Sequence, residues 1–170
     1  MTADPAVRDL VARLLGWSDA HVSFDDAVRD LPANLRGVRP AGLSHSPWEL
    51  LEHIRIAQRD ILNFSVTARY EELEWPSGYW PPSSEPPESE AWERSVSAVR
   101  EDRARLQELA RDARVDLTAV TPHGTDQTYL REFLLAVDHT AYHVGQMVIV
   151  RRLLGAWPPA QPGAATDLPA

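Results

Sequence analysis

The chain contains no cysteine. That absence removes disulfides, thiolate zinc sites, iron–sulfur clusters and cysteine nucleophiles together. Long apolar runs are missing too; nothing approaches the roughly 20 residues of a membrane-spanning helix. The start, Met1-Thr2-Ala3-Asp4-Pro5, lacks a basic region followed by an apolar stretch, so no signal peptide is expected. Nor is there an excess of positive charge. The formal net charge is −8, which argues against a nucleic-acid backbone and against an anionic membrane surface as partners. The expected location is the cytoplasm. What is present suits a folded domain of ordinary size: 170 residues, 44% hydrophobic and 25% charged.

The apolar periodicity is helical. Asp4 and Pro5 suit a helix start, and Val7, Leu10, Val11, Leu14 and Leu15 follow at helical spacing. Gly16-Trp17-Ser18-Asp19 interrupts the pattern, and Ser23 can cap a second short helix that ends at Pro32. Residues 5–31 therefore read as one bundle arm with a break near His21. After a loop rich in proline and glycine, Ser46-Pro47-Trp48-Glu49 forms a capping box. The helix it opens is expected to run to about Tyr70, with Leu50, His53, Ile54, Ala57, Ile61 and Phe64 inward and Arg55, Gln58 and Arg59 outward.

Residues 71–89 hold five prolines and three large aromatics, Trp75, Tyr79 and Trp80. No regular helix survives that proline density. The aromatics are expected to fold back and cap the core, with a lid over a pocket as the alternative. A third helix is expected over 90–112, with a solvated outer face of arginines and acids. Val115, Leu117 and Val120, followed by Pro122-His123-Gly124, leave room for a short two-stranded hairpin. A last helix starts at Thr128 and stops at Gly155. The class is all-α, a four-helix bundle with long connections. One domain is expected over 1–157, with a mobile tail over 158–170.

Six histidines are present, and two of them, His139 and His143, stand four residues apart in the last helix. At about 100° per residue, His143 lies about 40° from His139 and Gln146 about 20° to the other side. Glu132 falls near the same line, and Tyr142 flanks it. A polar stripe in so apolar a helix needs partners, because unpaired buried polar groups are costly. Two imidazoles at this spacing can share one metal ion. A lone histidine on an apolar stripe, such as His53, is usually a hydrogen-bonded core residue. Opposite a second helix with two histidines at metal spacing, it becomes a candidate third ligand. Three neutral imidazoles around a divalent ion leave positions open, as in a catalytic site rather than a closed structural one. Imidazole suits zinc, nickel, copper and iron, with zinc or nickel placed first. The stretch is not H-E-x-x-H, since Thr140 follows His139, so that motif's built-in glutamate base is lacking. Gln146 and Tyr142 are candidate residues behind the ligands or lining the pocket. His21 and His123 are weighed as pocket residues against exposed or turn positions. No catalytic residue is assigned.

Ser46-Pro47-Trp48-Glu49-Leu50-Leu51-Glu52-His53-Ile54 resembles the helix-two signature of the DinB-like superfamily. Asp138-His139-Thr140-Ala141-Tyr142-His143-Val144-Gly145-Gln146 resembles its helix-four signature. The resemblance covers about residues 5–157. It implies a four-helix bundle with long connections and a divalent metal on a histidine triad, here His53, His139 and His143. It also implies a homodimer and a small-molecule substrate. Characterised relatives include transferases and isomerases that use low-molecular-weight thiols, and hydrolases. The expected function is therefore a metal-dependent thiol transferase or hydrolase, with a non-catalytic metal-binding or stress-response protein as the alternative.

Overall fold

The computed structural model describes residues 4–159. Among these, five α-helices form: α1 Pro5–Leu14, α2 Phe24–Val28, α3 Pro47–Val66, α4 Ala91–Arg111 and α5 Tyr129–Leu153. Helix α3 packs against both α4 and α5, while α1 lies on α4 and α2 on α5. The two short helices thus share the fourth position of a bundle. The tail expected over 158–170 lies outside the described residues, apart from Pro158 and Pro159. No described helix is long and apolar enough to cross a membrane.

The helix starts follow their caps. Asp4 accepts from the Ala6 N–H at 2.7 Å. Ser23 accepts from the Asp26 N–H at 3.0 Å. The Ser46–Glu49 capping box is complete in both directions, satisfying donors that a helix start leaves orphaned. Glu49 is further held by Arg39, whose Nε donates at 2.8 Å.

Several boundaries differ from the sequence expectation. The break in the first arm, expected over Gly16–Asp19 and near His21, spans residues 15–23. Helix α3 ends at Val66, four residues early, because Thr67 turns extended and offers its carbonyl to His123 Nε2 at 2.6 Å. The hairpin reduces to one antiparallel bridge, Val120 to Thr128. Thr128 is already the N-cap of α5, so its strand cannot extend. The outward face of α3 is also not outward. Gln58 is buried and donates to the Val99 carbonyl at 2.7 Å. Arg59 reaches Asp102 at 2.6 Å, and Asp102 is fully buried rather than part of a solvated face. A helix with neighbours on two sides has little face left for solvent, so its polar residues pair across the α3–α4 seam.

Two apolar clusters fill the bundle. One gathers Phe24, Leu31, Trp48, Leu51, Ile54, Trp92, Val144 and Met147. The other gathers Val11, Leu15, Ile61, Leu62, Leu106, Leu117 and Phe133. On α5 the gap between them falls between Ala136 and Val144, the segment that carries His139 and His143. The polar stripe therefore occupies the joint between two cores.

Two buried arginines tie helix ends to distant helices. Arg8 donates to the carbonyls of Ala110, Asp112 and Val115 at the end of α4. Arg151, fully buried, donates to Ala27 and Arg29 at 2.8 Å each and to Ala156 at 3.0 Å. Arg151 thus closes the C-terminal end of α2, whose last carbonyls have no partner within the helix. Replacing it, Arg151→Met, keeps bulk but orphans those carbonyls. A loss of roughly 2–4 kcal/mol is expected in urea unfolding, with helix content retained.

Candidate metal centre

The capping box sets the start of α3 and so places His53 on its second turn, facing α5. On α5, His139 and His143 follow one another on the same face. The three rings converge: centroids lie 4.8 Å apart for His53–His139, 4.5 Å for His53–His143 and 4.4 Å for His139–His143. One nitrogen from each ring lies within 4.8 Å of the others. His53 Nε2 and His139 Nε2 are 3.1 Å apart.

Outer hydrogen bonds decide which nitrogens face inward. His53 Nδ1 donates to the Tyr79 carbonyl at 2.8 Å. His143 Nδ1 donates to Gln146 Oε1 at 2.7 Å. Each bond leaves Nε2 as the lone-pair nitrogen, the arrangement that orients metal-binding histidines. The electrostatics agree. Burial, with His143 and His53 alongside, pushes His139 down to about 3. Burial and His53 push His143 down to about 4 against the Gln146 bond. Burial lowers His53 as well. All three are therefore neutral imidazoles near pH 7, the form that ligates.

One pair of the donor set stands at the spacing of two ligands on a divalent ion. With metal–nitrogen bonds of about 2.0–2.1 Å, two ligands stand about 2.9 Å apart at a right angle and about 3.4 Å apart at the tetrahedral angle. The 3.1 Å spacing of His53 and His139 falls inside that interval.

Residues 17–147 match the DinB superfamily. The chain belongs to this superfamily. No curated protein and no solved structure matches it. The DinB membership and the three converging imidazoles agree with one another, and both are consistent with a metal-binding protein.

Around this DinB histidine group, the proline-rich connection does more than cap the core. Trp75 is 78% exposed and does not fold back. Tyr79 and Trp80 do, but onto the histidines. The Trp80 ring stacks on His53 at 3.9 Å and 1°. Its other neighbour is His45, stacked at 4.1 Å and 11°. Tyr79 is pinned at both ends: its carbonyl on His53, and its hydroxyl on Asp60 Oδ2 at 2.7 Å. Tyr70 donates to the other oxygen of Asp60 at 2.9 Å. Burial and Asp60 hold the Tyr79 phenol up to about 12, so it stays a donor. The connection is also tied to the loop before α3. Ser46 Oγ donates to the Ser84 carbonyl. Gly37 meets Glu85 so closely that an added Cβ would lie 2.9 Å from its Cα, a backbone approach only glycine permits.

Of the other sequence candidates, Tyr142 packs edge-on against His143 at 4.9 Å and is largely exposed. Gln146 holds His143. His21 and His123 stand elsewhere. His21 bonds the Val22 carbonyl at 2.8 Å in the broken arm. His123 lies against Tyr70 and bonds Thr67. Glu132 is buried and paired with Arg131 at 2.7 Å. His45 and Asp60 were not singled out by sequence reasoning as residues of the site, and Tyr79 and Trp80 were weighed only as a cap on the core or a lid over a pocket. Asp60 carried a usable signal, since seven residues from His53 is two turns on one helix face. The Tyr79 carbonyl carried none, because every residue has one.

Two outcomes follow. In metal-free protein the folded state resists protonating these histidines, whereas the unfolded chain takes up protons below about pH 6.5. Stability is therefore complete above that value and falls as the pH drops below it. The urea midpoint should be lower at about pH 5 than at about pH 7, with a smaller difference in His139→Ala; a flat wild-type profile would contradict the neutral triad. Separately, Tyr79→Phe frees the carbonyl that holds His53 and should weaken zinc affinity by about tenfold or more. Tyr70→Phe removes a bond to the same carboxylate and should leave zinc affinity near wild type. Equal effects would mean that Asp60 supports the loop without orienting His53.

Proposed function

We propose that this protein is a metal-dependent enzyme in which His53, His139 and His143 hold one divalent ion, zinc or nickel, and that it transfers a thiol. The observation that carries the reading is the convergence of three neutral imidazoles whose outer nitrogens, on His53 and His143, are turned away by fixed acceptors. An ion held there supplies Lewis acidity and open positions, favouring a thiolate over a thiol. The chain's own residues do the rest. Tyr79 and Gln146 fix the orientation of His53 and His143. Trp80 covers one face of His53 and keeps water from it. Tyr142 marks the solvent side of His143.

Thiol chemistry is favoured over hydrolysis by the disposition of carboxylates. Asp60 accepts from two tyrosines and Glu132 is paired with Arg131, so neither is free to take a proton from water. A thiol ionises near pH 8.5, against about 15.7 for water, and needs less help from a base.

The decisive experiment measures metal content in protein purified without a polyhistidine tag, then activity. Wild type should hold one zinc or nickel per chain at neutral pH, and His139→Ala should hold none. Conjugation of a thiol to an electrophilic substrate should vanish with a chelator, return with metal, and be absent in His139→Ala. Absence of stoichiometric metal in wild type ends the triad reading. Metal without any turnover that depends on His139 would leave a non-catalytic metal-binding protein.

A further inference from the structure

A cleft of about 370 Å³ opens beside the histidines, between the segment before α3 and the outer half of α5. Leu50 and Val150 form its buried floor, and Leu43 and Ile149 form walls that remain 37% and 52% exposed. Gly42, at φ +83°, makes the turn that presents Leu43. Two further residues join the cleft to the triad. His45 lines it and stacks on Trp80, whose ring lies against His53. Gln146 lines it and holds His143.

The amide of Gln146 has a direction. Its Oε1 is committed to His143 Nδ1. Its Nε2 then carries two donors, and it has no partner among the described residues. The site thus offers a donor where the cleft meets the triad. Among the described residues, no aspartate, glutamate or arginine lines the cleft. A charged group bound there would lose water without gaining a counter-charge. An apolar body would gain by covering Leu43 and Ile149.

The geometry points to a subsite for the non-reacting part of the substrate: an uncharged, mainly apolar group whose carbonyl or hydroxyl oxygen accepts from Gln146 Nε2. This assignment rests on the triad being the reaction centre. It selects against substrates whose bound portion carries a carboxylate, a phosphate or an ammonium group.

Three probes with one aromatic body separate the possibilities: phenylacetamide, phenylacetate and phenethylamine. Each is titrated into the full chain, metal-free and zinc-loaded, and followed by the methyl resonances of Leu43 and Ile149 and the side-chain amide of Gln146. Phenylacetamide should move all three, with affinity at least about tenfold above either charged probe. Ile149→Trp fills the cleft from an exposed wall and should abolish that binding while zinc content stays at wild type. Leu43→Arg, on the opposite wall, should shift the preference toward phenylacetate. Equal binding of the charged probes, no response to phenylacetamide, or binding undisturbed by Ile149→Trp would overturn the subsite. Zinc bound without probe binding sinks the cleft alone. Probe binding by a chain that takes up no zinc when zinc is supplied sinks the triad reading, and the subsite role with it.

Discussion

Three imidazoles whose ligand nitrogens lie within 4.8 Å of one another cannot all be imidazolium cations near pH 7. Burial and mutual repulsion keep them neutral, and neutrality makes their lone pairs available. A neutral imidazole still has one N–H to place, and leaving it unpaired in a buried position is costly. The fold answers with acceptors outside the group, the Tyr79 carbonyl for His53 and Gln146 for His143. His53 and His143 turn their inner nitrogens toward the group because their outer ones are taken. Much of the remaining architecture can be read as what keeps those acceptors still.

The Tyr79 carbonyl belongs to a connection that no α-helix includes, at the end of a single 3-10 turn, Ser77–Tyr79. Its position depends on side chains: Tyr79 on Asp60, Trp80 between His45 and His53, Ser46 on Ser84, and the glycine at 37 that lets two loops touch. Asp60 comes from the same helix as His53, two turns further on. Helix α3 therefore carries both the ligand and the anchor of the segment that orients it. That helix is itself immobilised on two sides, by α5 and by a polar seam with α4 made of Gln58, Arg59 and Asp102. A buried seam of this kind requires each partner to meet its complement, so it resists sliding of α3 against α4.

The split first arm has a role in the same scheme. Helix α1 fastens to the end of α4 through Arg8, and α2 fastens to α5 through Arg151. Each half of the arm secures a different helix. The two apolar clusters meet on α5 where its polar residues lie, so the histidines sit at a joint that neither core fills.

The amino-acid pattern by itself was enough for the helical class, the caps at Asp4, Ser23, Ser46 and Thr128, and the candidacy of His53, His139 and His143. These features rest on local spacing and on backbone groups satisfied within a few residues, which the chain order states directly. It also picked out Gln146 and Tyr142, because their angle on the last helix follows from the same period. Other features depended on which surfaces meet. The burial of Gln58 and Asp102, the early end of α3, the collapse of the hairpin to one bridge and the separate places of His21 and His123 are of this kind. So are the stacking of Trp80 on His53 and the use of a backbone carbonyl to orient a ligand. Local periodicity cannot report that a helix has two neighbours, nor which of many identical carbonyls will face an imidazole. Tertiary packing decided those, because a polar group's partner here is set by contact across the bundle and not by distance along the chain.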